Sequence, residues 1–195
     1  MKKISIFTLS ITLVFIISST IFAQVVPKFG IKGGVNFSNF AQTEIEDYET
    51  KAGFVLGAFL ELGIPMFSVS IQPEILYAQF GAGIKDADAT VDLNYIQIPV
   101  LLKINFDAPG ATPNIYFGPY ANFLASAEVD GDGGSVEIDE IIEDSAFGVI
   151  IGGGIDLSKV QLGIRISAGI TEVFKEDFSD DETNFGVALT VGLKL

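Results

Sequence analysis

The chain has 195 residues, a formal net charge of −14, and no cysteine, histidine or tryptophan. Without histidine there is no Ser–His or Cys–His nucleophile and no histidine-bound metal, and without cysteine there is no disulfide or thiolate metal site. So acidic a chain would also repel the phosphates of nucleic acid. The mean hydropathy is nevertheless positive. Charged and apolar residues must therefore occupy different parts of the sequence.

The first 23 residues have the pattern of a secretory signal peptide. Two lysines precede an apolar run over residues 4–17, and Ala23 places a small residue before the predicted cleavage point. A positive start, an apolar run and a small residue at the cleavage site are typical of exported proteins. We therefore expect residues 1–23 to be removed and residues 24–195 to form one domain. An uncleaved membrane anchor is the alternative.

From residue 28 onward, apolar residues alternate with small or polar ones. Successive side chains of a strand point to opposite faces, so this period of two predicts β-strands. Each run has about ten residues, a length with which a tilted strand crosses a membrane. Eight strands are predicted, over residues 28–37, 53–62, 69–78, 95–106, 115–123, 146–157, 160–171 and 184–195.

The two faces of the predicted strands differ in composition. One face carries Val, Ile, Leu and Phe, whereas the other is rich in Gly, Ala and Ser rather than in the polar residues of a solvated sheet. We therefore expect the small-residue face to line a barrel lumen and the apolar face to contact lipid. A lipocalin-like barrel or a sandwich with the apolar face inside is the alternative. The few charges on the small-residue face have both signs: Lys32, Lys103, Arg165 and Lys194 against Glu61, Glu74 and Asp156.

Most acidic residues fall in every second connection between the predicted strands. Of the 25 Asp and Glu residues, 21 lie in four segments, over residues 38–51, 80–92, 126–145 and 172–184. The other three connections are short, over residues 63–66, 107–113 and 158–159. Alternating long and short connections are typical of outer membrane barrels, whose short turns face the periplasm. The sequence thus predicts four long acidic extracellular loops, with both chain ends in the periplasm.

Five segments carry a family resemblance. They are residues 29–38 (FGIKGGVNFS), 72–77 (QPEILY), 95–103 (YIQIPVLLK), 116–120 (YFGPY) and 148–154 (GVIIGGG). In this order and spacing, the chain resembles the small porin-like outer membrane β-barrel family of Bacteroidetes-type bacteria, related in architecture to the OmpA and OmpX barrels. The resemblance implies an all-β fold, a closed antiparallel eight-stranded transmembrane β-barrel, in the outer membrane. It implies no common substrate.

Five charged residues of the predicted lumen are candidates for an ion-pair network: Glu61, Glu74, Lys103, Asp156 and Arg165. The strand phasing places Lys103 near the level of Glu61, and Arg165 and Asp156 on neighbouring strands. Because charges in a narrow lumen need partners, we predict ion pairs among these side chains. Acid–base catalysis by Glu61 and Glu74 is the alternative.

Two acidic runs in the predicted loops are candidates for divalent metal sites: Asp130 with Asp132, and Asp180 with Asp181. The first run, DGDGG, resembles the start of a calcium loop but lacks the later ligands. Solvated loops are the expected outcome, and loose bridging of divalent ions to lipopolysaccharide is the alternative. No cofactor is expected.

The sequence predicts a non-enzymatic integral outer membrane protein that serves in envelope structure or in surface interaction. Eight strands enclose a lumen that side chains largely fill, which disfavours a general diffusion pore. A narrow, cation-preferring channel and an accessory barrel of a secretion or assembly system are the alternatives. The expected partners are outer membrane lipid, lipopolysaccharide and the barrel insertion machinery. We expect no nucleic acid partner and a monomeric state.

Overall fold

The computed structural model describes residues 27–41, 48–84, 89–131, 134–171, 173 and 183–195. The predicted signal peptide lies outside these residues. Among the described residues, no helix is long and apolar enough to cross a membrane. A short 3₁₀ helix covers Asp139–Ile141. The strands are β1 (Pro27–Ala41), β2 (Tyr48–Ile64), β3 (Val69–Ile84), β4 (Ala89–Asn105), β5 (Thr112–Gly131), β6 (Gly134–Glu137), β7 (Ser145–Leu157), β8 (Val160–Gly169) and β9 (Thr183–Lys194).

Eight of these strands close into an antiparallel barrel, as the sequence predicts. Neighbouring strands pair in the order β1, β2, β3, β4, β5, β7, β8 and β9, and β9 returns to β1. At this closure Gly34 lies opposite Thr190 and Val35 lies opposite Leu189. The short β6 folds back on the end of β5, outside the circle of eight.

The two ends of the barrel carry different connections. Three short connections, over residues 65–68, 106–111 and 158–159, lie together at one end, which we call the turn end. β1 begins and β9 finishes at this same end, since Pro27 pairs with Leu62 near the turn that follows β2. The opposite end is called the loop end. This arrangement agrees with the predicted alternation of connections.

At the loop end, strands extend into all four segments that were predicted to be loops, and they extend furthest into residues 80–92 and 126–145. β3 and β4 remain paired as far as Ile84 and Ala89, and β5 continues to Gly131 before β6 folds back. The inner residues Val91 and Leu93 keep the alternation here. The acidic residues on the opposite face obscured this continuation, because a charge-rich segment is typical of a loop.

The apolar face of the barrel points outward. Leu56 of β2 is 59% exposed, Ile151 of β7 is 63% exposed and Leu189 of β9 is 54% exposed, whereas Thr190 is 5% exposed and Arg165 is 2% exposed. The prediction that the apolar face forms an outer belt is therefore confirmed. A fold with this apolar face inside is excluded.

Candidate functional site

Lys103 of β4 joins two carboxylates in the turn-end half of the lumen. Its Nζ donates to Asp156 Oδ2 at 2.8 Å and to Glu61 Oε2 at 3.2 Å. Lys194 of β9 reaches the same carboxylates, at 2.7 Å from Asp156 Oδ2 and 3.3 Å from Glu61 Oε1. Gln161 of β8 adds a bond from Nε2 to Glu61 Oε2 at 2.9 Å. We call Glu61, Lys103, Asp156 and Lys194 the turn-end cluster.

Glu74 of β3 organises a second group further from the turn end, the Glu74 cluster, with Lys32, Gln72 and Arg165. Arg165 donates from Nη1 to Oε2 at 2.8 Å and from Nη2 to Oε1 at 3.3 Å. Lys32 pairs with Oε1, and Gln72 Nε2 donates to the same oxygen at 2.7 Å. The side chain of Glu74 is fully buried, and those of Lys32 and Arg165 are 6% and 2% exposed. The cluster therefore links β1, β3 and β8 across the lumen.

The five residues predicted for the lumen all lie in these two clusters, but the partner of Arg165 differs from the expectation. Arg165 pairs with Glu74 rather than with Asp156. In the β7–β8 register, Arg165 lies opposite Gly152 and Asp156 lies opposite Gln161, so the two charges are at different heights. The same alternation that identified the five also places Lys32 and Lys194 on the inner face.

Each buried carboxylate of the lumen contacts two or more cationic side chains. Glu61 and Asp156 share Lys103 and Lys194, and Glu74 holds Lys32 and Arg165. Such pairing offsets the cost of removing the charges from water. It also engages the carboxylate oxygens as hydrogen-bond acceptors. The arrangement suits cross-linking of the strands better than proton transfer to a substrate, which requires an accessible base.

Two cavities lie along the turn-end half of the lumen. The larger, of about 370 Å³, opens at the turn end beside Lys28, Ser70 and Asn105. The smaller, of about 20 Å³, lies further in, beside Lys32 and Thr190. A cavity of this smaller size has room for about one water molecule. The lumen therefore narrows from the turn end inward.

Apolar side chains occupy the loop-end half of the lumen. Two of them come from connections rather than from barrel strands: Ile142 is fully buried and Val173 is 1% exposed. The N–H of Glu143 donates to the carbonyl oxygen of Val173 at 2.9 Å, so the two connections join above the barrel. We call this group the loop-end core; it comprises Phe40, Val55, Ala78, Phe80, Ala82, Val91, Leu93, Tyr95, Ala127, Ile142, Val173 and Ala188.

Three acidic residues stand side by side on the strands that extend at the loop end. Asp92 of β4 lies opposite Glu128 of β5, which lies opposite Glu137 of β6. Lys51 of β2 forms an ion pair with Asp92. Like charges directly opposite each other in a sheet are destabilising. We call Asp92, Glu128 and Glu137 the acidic row.

The predicted metal candidates give no assembled site in the described part of the chain. Asp130 accepts a hydrogen bond from the Ser135 hydroxyl and lies opposite Thr90 of β4. Asp132, Asp180 and Asp181 lie outside the described residues. Across the described ranges, no group of three or more acidic side chains is placed to hold a metal ion.

A closed antiparallel barrel with an apolar belt outside and charged groups inside has the architecture of a transmembrane β-barrel. The sequence model of one family, described as outer membrane protein beta-barrel domain, matches residues 22–175. The chain belongs to this family and is an outer membrane barrel protein. In a comparison with curated proteins, none matches the chain.

Three solved structures are similar to the chain at low sequence identity. Neisserial surface protein A is 11% identical, with a TM-score of 0.52, and the match covers 86% of this chain and 97% of that protein. The attachment invasion locus protein Ail of Yersinia pestis is 13% identical, with a TM-score of 0.48 and coverage of 86% and 98%. The N-terminal barrel of Pseudomonas aeruginosa OprF is 9% identical, with a TM-score of 0.41 and coverage of 85% and 97%. At these identities the likeness to Neisserial surface protein A concerns the fold.

Proposed function

We propose that the protein is a non-enzymatic, non-conducting outer membrane barrel whose acidic loop end binds a cationic partner at the cell surface. Outer membrane barrels place their short turns in the periplasm and their longer connections outside. In that orientation the turn-end cavity opens to the periplasm and the acidic row faces the exterior. The loop-end core is the observation that carries the proposal.

The loop-end core supports a closed barrel rather than a pore. Phe80 and Tyr95 fill the lumen from neighbouring strands with ring centroids 6.0 Å apart, and Leu93 and Ile142 are fully buried. An ion crossing this layer would leave water for a wall of mostly apolar side chains that offers few polar ligands, such as Asn184 beside Tyr95, which is energetically costly. The narrow channel considered from the sequence would need a polar path through this layer.

The acidic row supports a role in surface interaction. Glu128 lies opposite both Asp92 and Glu137; the pair with Glu137 opposes sheet pairing by roughly 0.2–1 kcal/mol, whereas Lys51 offsets the charge of Asp92. A basic polypeptide laid across the row would turn this repulsion into attraction.

Planar-bilayer recording of the purified full chain tests the first part of the proposal. Heat-dependent mobility in SDS identifies the closed barrel in the sample, and we expect no steady conductance from it. A reproducible conductance that prefers cations would overturn the proposal in favour of the narrow channel.

Binding of oligolysine to the barrel in lipid vesicles tests the second part. We expect affinity that falls with salt, because surface charges are screened over about 8–10 Å at physiological ionic strength. The double variant Glu128→Gln/Glu137→Gln should bind several-fold more weakly. Asp107→Asn, at the turn end, is the matched control. Equal affinity in the double variant and the wild type would contradict the proposed surface.

Export and assembly form the last part of the proposal. Removal of residues 1–23 would leave Gln24 as the first residue, which N-terminal sequencing of the outer membrane protein detects. We further propose a monomer surrounded by phospholipid and lipopolysaccharide, inserted by the barrel insertion machinery. Size determination in detergent by light scattering tests the monomeric state.

A further inference from the structure

The hydrogen-bonded pairing of the barrel wall is interrupted beside three prolines on neighbouring strands. The β2–β3 register omits Pro73, the β3–β4 register omits Pro99, and the β4–β5 register omits Pro119 together with Gly118. Proline has no N–H to donate, so a ladder bond is lost at each point. The three prolines belong to the sequence motifs QPE, IPV and GPY, and no part of the proposed function uses them.

Two grooves on the outer surface lie at these interruptions. The larger, which we call the wall groove, has a volume of about 530 Å³ and crosses β4, β5 and β7 beside Pro119. Val100, Phe117 and Val149 are outward-facing residues of these three strands that line it, and Ile71 of β3 lines it as well. A smaller groove of about 320 Å³ lies beside Pro73. The interruptions at Pro73 and Pro119 therefore coincide with indentations of the outer wall, whereas Pro99 is fully buried and lines neither groove.

We infer that the wall groove seats a single hydrocarbon chain of a bilayer lipid. All ten lining residues are Ile, Val, Leu, Phe, Gly or Pro, so the groove offers no polar side chain to orient a polar ligand. It lies midway along β7 and within the belt of outward-facing apolar side chains, at the depth where a bilayer contains hydrocarbon alone. A specific protein interface needs roughly 1,000 Å² or more with a polar rim, which this site does not offer.

Exposure alone predicts a different distribution of lipid contacts. Val100, Phe117 and Val149 are 46%, 47% and 39% exposed, whereas Ile164 and Leu189 elsewhere on the belt are 51% and 54% exposed. A lipid acyl chain that contacts the apolar belt at random would touch Ile164 and Leu189 at least as often as the groove residues. An acyl chain seated in the wall groove would instead stay near Val100, Phe117 and Val149.

Photochemical labelling of the full chain in vesicles separates these cases. The vesicles contain phosphatidylethanolamine and phosphatidylglycerol with a trace of phosphatidylcholine that carries a diazirine on one acyl chain. We expect Val100, Phe117 and Val149 to be labelled at least about threefold more than Ile164 and Leu189, from several added carbon–carbon contacts. Labelling in proportion to exposed area would overturn the inference.

Two matched variants test whether the shape of the groove is responsible. Val149→Phe fills the groove, and Val191→Phe makes the same change on β9, away from it, at a residue that is 55% exposed. Both variants keep an apolar outer belt, and heat-dependent mobility in SDS establishes that each has folded. We expect Val149→Phe to abolish the excess labelling at Phe117 and Val191→Phe to leave it unchanged. If both variants lose the excess labelling at Phe117 equally, or if neither loses it, the inference that the wall groove binds an acyl chain is refuted.

Discussion

Replacement of Glu74 by glutamine is expected to be among the most damaging single changes in the lumen. The carboxylate accepts two bonds from Arg165, at 2.8 and 3.3 Å, one from Gln72 at 2.7 Å, and an ion pair from Lys32. Glutamine has almost the same shape but no charge, and its amide would present N–H donors to cationic donors. Two buried cations would then lack a counter-charge.

The expected cost follows from the burial of the partners. Breaking a buried ion pair by removing one partner costs about 3–5 kcal/mol, because the remaining charge stays out of water. Glu61→Gln is the matched control, since Asp156 continues to pair with both Lys103 and Lys194. Loss of charge-assisted bonds there should cost about 1.5–3 kcal/mol, toward the lower end because no cation loses its last counter-charge.

Guanidinium unfolding of the folded barrel, followed by its heat-dependent mobility in SDS, measures both variants. A larger loss of stability for Glu74→Gln than for Glu61→Gln, at unchanged dependence on denaturant, would support the assignment. Arg165→Met in the Glu74→Gln background removes one of the two buried cations that lack a counter-charge, and it should restore part of the stability. If the double variant is no more stable than Glu74→Gln, the unpaired buried charge does not cause the loss of stability and the reasoning fails.

Three further predictions use the belt, the loop-end core and the strand contacts. Leu189→Arg on the outer belt should reduce the free energy of folding into vesicles by about 2–4 kcal/mol. Leu157→Arg at the turn end of β7 should reduce it by at most about 1 kcal/mol. Equal effects would contradict the placement of Leu189 near the middle of the bilayer. Ile142→Ala should weaken the loop-end core by about 2–5 kcal/mol and speed amide exchange of residues 138–144; unchanged exchange would mean that this connection does not pack on the lumen. A Cβ at Gly57 would lie 2.0 Å from the carbonyl oxygen of Ile75, whereas one at Gly63 meets nothing within 4 Å. Gly57→Ala should therefore cost about 1–3 kcal/mol and Gly63→Ala little, as measured by denaturant midpoints.

The outline of the fold could be predicted because strand alternation is a local property. Leu189 and Thr190 are adjacent in sequence and point to opposite sides of the wall, so their burial follows from period alone. The direction of the apolar face also followed from composition, since Gly, Ala and Ser dominate the opposite face. The connections of the turn end were recognisable from their lengths.

The pairing inside the lumen could not be predicted in the same way. Arg165 and Glu74 lie on β8 and β3, which are not neighbours in the wall, and their contact depends on the tilt and stagger of the whole barrel. The apolar layer at the loop end was hidden for a related reason. Leu93 and Ala127 belong to the inner face of strand extensions that acidic neighbours made look like loops. Ile142 enters the lumen from a connection, where no strand period exists to reveal it.

The placement of charge favours the proposed binding face over a channel mouth at the loop end. The protein is strongly acidic, with a net charge of −14, yet cations outnumber carboxylates among the described groups of the two lumen clusters. A cation attracted to the acidic row would therefore meet the loop-end core and, behind it, positive rather than negative charge. The energy of moving it inward would rise at both steps. Acidity at the rim thus favours a partner that stays outside. In the two lumen clusters the cations are Lys32, Lys103, Arg165 and Lys194, and the carboxylates are Glu61, Glu74 and Asp156, so a cation from the loop end meets an excess of positive charge.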